Sequence, residues 1–135
     1  MKIKTYSIIA LSTVVFLLCS FTFFQNKPWA VPEKYTKMKN PVKSDDAESL
    51  KNGKDLWNKH CSSCHGKTGK GDGSKAAQLE TPLSDFTTDE VQKQSDGELF
   101  YKTLEGRDEM PTFKKKIPEE EDVWLVINYV RSMKK

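Results

Sequence analysis

Histidine occurs twice and cysteine three times in this chain of 135 residues. A structural zinc site takes four cysteine or histidine donors. Here Cys61, Cys64 and one of His60 or His65 give three, because Cys19 lies in a distant hydrophobic segment. No strand-like alternation is sustained anywhere, so the fold reads as all-α, and the βαβ setting of a thioredoxin-like dithiol is missing. A dominant positive field is missing too. The formal net charge is +3, but from residue 41 onward 16 basic residues face 18 acidic ones. That balance excludes nucleic acid as a partner. What is present is an ordinary globular mixture, 36% hydrophobic and 30% charged, enough for one domain with an appendage. A domain of roughly 100 residues buries only about two-thirds of its unfolded surface, so a large apolar cofactor would help its core.

The one long uncharged stretch covers residues 7–24, behind Lys2 and Lys4. It is about long enough to cross a hydrocarbon core and longer than the usual signal-peptide apolar region. The expectation is an uncleaved single-pass transmembrane anchor at residues 1–24, in the bacterial cytoplasmic membrane, with the following chain facing outward. A cleaved signal ending near Ala30 and a lipoprotein through Cys19 are the alternatives. Residues 25–44 carry prolines at 28, 32 and 41 and no helical period, and are expected to be an extended linker. Within them Trp29 reads as an interfacial anchor and Tyr35 as a surface contact; the alternative is that this strand wraps onto the folded domain.

Residues 45–135 are expected to hold three helices. The first covers about residues 45–60, capped by Ser44, with Leu50, Gly53, Leu56, Trp57 and His60 at helical spacing. Gly53 weakens a helix and needs a packing reason. The second starts at the capping-box pattern "SDGE" from Ser95 and stops at Gly106. The third begins at "PEEED" with Pro118 as first helical residue, and Val123, Trp124, Val126, Ile127 and Val130 line its apolar face. Between the first two lies a glycine-rich loop, residues 66–94, of a length that usually serves a function.

Within "CSSCH", residues 61–65, the spacing C-x-x-C-H is that of haem attachment. Two thiols separated by two residues reach the two vinyl groups of one porphyrin edge, and the adjacent histidine then lies under the iron. Attachment outside the cytoplasmic membrane agrees with the outward topology.

Most of residues 45–135 resembles a class I, single-haem c-type cytochrome. "CSSCHGKTGKGDG" is similar to the CxxCHGxxGxGDG signature of bacterial members, "GRDEMPTF" (residues 106–113) resembles their methionine–proline loop, and "VWLVINYVRS" their terminal helix. The resemblance implies one covalent haem c with its iron, thioethers at Cys61 and Cys64, and His65 and Met110 as axial ligands. It also explains Gly53 and Trp57 as the small and aromatic residues of a close helix crossing, with Val126 and Tyr129 opposite. Among other methionines, Met38 lies in the linker and Met133 at the helix end, so both read as core filling. His60 reads as an exposed helix-end residue. One departure stands out: many relatives have proline after GDG, whose carbonyl accepts the ligating histidine's ring N–H, and here Ser74 takes that place. Arg107 is a candidate near the haem propionates or a surface ion pair with Asp108. Lys114, Lys115 and Lys116 are either a docking face for an acidic redox partner or a solvated run.

The expected function is single-electron transfer between a redox donor and acceptor, by a carrier that is not itself an enzyme. The alternatives are a haem-bearing subunit of a larger respiratory oxidoreductase or oxidase complex, and a ligand-binding haem sensor.

Overall fold

The computed structural model describes residues 28–134. The expected anchor at residues 1–24 lies outside them; among the described residues no helix is long and apolar enough to cross a membrane. The domain that begins at Val31 holds six α-helices: α1 (Glu33–Thr36), α2 (Ala47–His60), α3 (Ser62–His65), α4 (Asp89–Gln92), α5 (Asp96–Glu105) and α6 (Glu120–Ser132). A 3-10 turn at Ala76–Gln78 interrupts the long loop. No strand occurs among the described residues, only an isolated bridge between Arg107 and Met110.

Local chemistry sets the helix ends. Asp46, not Ser44, caps α2, because its carboxylate accepts from the Ser49 N–H at 2.7 Å. The capping box of α5 is complete: Ser95 N–H donates to Glu98 at 2.6 Å, and Glu98 N–H donates to Ser95 Oγ at 3.2 Å. α5 ends at Gly106, whose φ of 67° is a left-handed conformation glycine adopts freely. α6 starts two residues later than expected, at Glu120. Its last turn carries Arg131, whose guanidinium donates to Asp96 at 2.8 Å and to the Gln92 carbonyl at 2.9 Å, fastening α6 to the approach to α5.

The core is built where α2, α5 and α6 meet. Trp57, Phe100, Trp124, Val126, Ile127 and Val130 are buried together, and Phe100 stacks on Trp124 with centroids 4.1 Å apart. At the α2–α6 crossing a Cβ on Gly53 would run into the Leu125 carbonyl and lie 3.1 Å from Tyr129 Cβ. Only glycine lets these backbones approach so closely, which is the packing reason it needed. Tyr129 is at the contact as expected, but the other neighbour is Leu125; Val126 is buried in the core.

Residues 31–44 are not the extended linker expected. They include α1 and form a strap on the domain. Tyr35 packs on Tyr101 with ring centroids 4.7 Å apart, and Met38 and Val42 lie against the core. Asn128, buried in α6, accepts from Asn40 Nδ2 at 2.8 Å and donates to the Val42 and Lys43 carbonyls at 3.3 and 3.1 Å. Burying an amide is costly unless it is bonded, so Asn128 fixes the strap in one register.

Candidate haem site

α2 delivers the cysteine–histidine motif directly from its last turn. Cys61 N–H donates to the Trp57 carbonyl at 2.8 Å, closing the helix, and the chain turns at once into α3. Cys64 and His65 N–H both return to the Cys61 carbonyl, at 3.2 and 2.9 Å. Cys61, Cys64 and His65 therefore occupy a single helical turn, both cysteines as free thiols. Cys61 is buried in the apolar core; that burial, and then the neighbouring Cys64, push its thiol up to about 12. A neutral sulfur suits this position, and a thioether is neutral.

The glycine-rich segment folds back on the motif. Gly71 N–H donates to the His65 carbonyl at 2.9 Å, Gly73 N–H to Cys64 at 3.1 Å and Lys75 N–H to Ser63 at 2.8 Å. A side chain on Gly73 would strike the Ser63 and Cys64 carbonyls. Trp57 Nε1 reaches across from α2 to the Gly66 carbonyl at 3.0 Å, a buried bond. The His65 ring is held between Phe86, edge-on at 4.9 Å, and Trp57 at 5.8 Å. Burial lowers the His65 pKa and so favours neutral imidazole, the form that ligates metals. The Ser74 carbonyl does not take over the role of the proline carbonyl in the relatives: His65 Nδ1 is buried without a hydrogen-bond partner.

Met110 is presented by a tight turn. Arg107 and Met110 exchange both backbone N–H···O bonds at 2.9 Å, and Asp108 takes a φ of 53° at the tip. Met110 is half-buried and packs on the same apolar cluster that contains Cys61. Met38 and Met133 also pack on that cluster, Met38 beside Gly97 and Met133 beside Gly69. Beyond the turn, Thr112 Oγ1 donates to the Leu104 carbonyl at 2.6 Å and Phe113 N–H to the same carbonyl at 3.2 Å, pinning the segment to the end of α5.

The flanking charges are largely engaged. Arg107 pairs with Asp108 at 3.3 Å, Lys114 pairs with Glu105 at 2.6 Å, and Lys116 lies over the Phe113 ring at 5.5 Å. His60 is half-buried rather than exposed. Its ring meets Phe113 edge-on at 6.3 Å, and desolvation with Lys59 and Lys116 nearby lowers its pKa.

These residues fit a covalently held haem. The motif cysteines are free thiols on one turn, desolvation keeps the adjacent His65 imidazole neutral, and a thioether stands on the same apolar cluster. The family described as cytochrome C oxidase, cbb3-type, subunit III matches residues 48–130, more than half of the chain. The chain belongs to this family. It is a c-type cytochrome, helical with no strand among the described residues, and its cofactor is haem c with its iron, covalently bound. A solved structure from Kuenenia stuttgartiensis, a reducing HAO-like protein complex, has the same fold with a TM-score of 0.63 at 23% identity. The match covers 86% of this cytochrome and 54% of that chain, so this cytochrome corresponds to about half of it. No curated protein matches the sequence.

Three contributors escaped the sequence reading. Phe86, against His65, is tied by its own N–H to Gly69 at 2.7 Å and by Gln92 Nε2 to its carbonyl at 2.7 Å. Glu109, beside Met110, accepts from the backbone of the long loop. Asn128 is the third. A lone aromatic in a loop and an acid in a turn carry no spacing signal, because their partners are backbone groups far along the chain.

Proposed function

We propose that this cytochrome is a single-electron carrier in which His65 and Met110 are the axial ligands of one haem, attached through Cys61 and Cys64. When bound, the haem supplies a one-electron iron couple, and methionine ligation raises its potential. The chain does the rest. Cys61 and Cys64 fix the group to the end of α2, the neutral His65 imidazole is steadied by Phe86 and Trp57, and Met110 approaches on a turn closed by its backbone bridge to Arg107. The observation that carries the reading is the single turn bearing both cysteines and a His65 imidazole that desolvation keeps neutral.

The proposed setting is the outer face of a bacterial cytoplasmic membrane, tethered through residues 7–24, with electrons exchanged between redox proteins. A mature protein that is soluble and starts near Val31 overturns the tether. A second reading has support from the family match: the domain is the haem-bearing part of a respiratory oxidase complex. Co-purification from membranes at fixed stoichiometry selects it over a free shuttle.

For the ligation, the oxidised wild type is expected to show the far-red methionine–iron charge-transfer band, and Met110→Ala to lose it. Tight carbon monoxide binding by the reduced wild type overturns the electron-carrier reading in favour of a ligand-binding sensor.

A further inference from the structure

The two proposed iron ligands come from segments 45 residues apart, and the described hydrogen bonds join those segments through one carboxylate. On the histidine side, Lys75 and Gly73 are bonded to Ser63 and Cys64, and the 3-10 turn Ala76–Gln78 follows directly. Two residues past that turn, Glu80 N–H donates to Glu109 Oε1 at 3.1 Å and Thr81 N–H donates to Glu109 Oε2 at 2.7 Å. Glu109 precedes Met110 within the turn closed by Arg107 and Met110. Each carboxylate oxygen thus takes one backbone amide, the paired geometry that gives charge-assisted bonds their directionality.

We infer that Glu109 is a positioning residue: it clamps the loop at Glu80–Thr81 to the methionine turn and so holds the Met110 thioether in place. The inference rests on Met110 being the sixth ligand. The clamp joins two otherwise separate loops, and its strength depends on a carboxylate because two N–H donors need two acceptors. Glutamine keeps one acceptor and replaces the other with a donor facing an N–H. Alanine keeps none.

The test uses the full-length holoprotein in detergent. Three variants are compared with wild type: Glu109→Ala, Glu109→Gln, and Thr81→Pro, which removes an amide proton from the opposite side. The readouts are the methionine–iron band of the oxidised protein and the rate at which imidazole displaces the methionine. Glu109→Ala is expected to weaken the band and raise the displacement rate roughly three- to tenfold, because the two hydrogen bonds lost are solvent-exposed and of small net worth. Glu109→Gln and Thr81→Pro should fall between it and wild type. A purely structural contact would lower thermal stability equally with and without the ligand, so Glu109→Ala is also placed on Met110→Ala. There its destabilisation should shrink. Wild-type displacement rates in Glu109→Ala overturn the clamp and leave Met110 ligation standing. A wild type without the band overturns both.

Discussion

The histidine side and the methionine side of this cytochrome are built by different rules. Around His65, nearly every fixing bond is local: Cys64, His65, Gly71, Gly73 and Lys75 all bond within residues 61–75, and glycines at 66, 69 and 71 take positive φ. Around Met110, a four-residue turn is exposed at its tip, and its attachments come from Leu104 and, through Glu109, from Glu80 and Thr81, 29 and 28 residues away from it. Local bonds form at small entropic cost, whereas long-range ones need the chain already folded. On the proposed ligation, the covalent side would be the permanent one and the methionine side the one where ligand exchange begins.

The largest expected effect breaks the first half of that contrast. Replacing Cys61 and Cys64 together by serine should abolish covalent haem altogether, read as loss of haem staining after denaturing electrophoresis. Met110→Ala should leave the staining intact. If Met110→Ala also prevents attachment, the two sides are not separable.

A smaller effect sharpens the local character of the histidine side. Trp57→Phe keeps an aromatic ring but strips the donor from the buried Gly66 carbonyl. An acceptor left bare costs about 1–3 kcal/mol, which at roughly 4–8 °C per kcal/mol is measurable by thermal unfolding. The methionine–iron band should stay unchanged. Its loss would mean that the Trp57 bond governs the far side as well.

The smallest effect lies outside both sides. Asp46→Ala removes the cap of α2 and should lower the unfolding midpoint slightly without touching either ligand. The Asp46 pKa is lowered in the folded state, first by the backbone hydrogen bond from Ser49. Its stabilisation is accordingly full above the ordinary aspartate range and is lost as pH falls through the lowered folded value. The difference between wild type and variant should vanish in acid. A difference that persists there would assign the effect to helix propensity instead of the cap.

Much of the histidine side was legible because its determinants are neighbours in sequence: C-x-x-C-H and the glycines spell out their own geometry. α2, α5 and α6 were legible too, since caps and apolar periodicity are local. The α5 capping box was placed to the residue, whereas the α2 cap slipped from Ser44 to Asp46 because several acceptors crowd that stretch. The strap was misread for a different reason. Its prolines suppress any period, and its partners Trp124 and Asn128 lie 84 to 88 residues away. α4 is too short for periodicity to register. Glu109 could not be found at all, because its partners are backbone amides, and an amide has no letter in the sequence.

The strap that Asn128 holds has a mechanical meaning. A chain pulled by its amino terminus transmits force first to whatever grips it first. Here that is Tyr35 against Tyr101, Met38 against the core, and Asn40 against Asn128 in α6, all before α2 begins. Load applied at residue 31 would thus meet α5 and α6 before it reached α2 along the chain, as a cable clamp takes a tug before the soldered joint does.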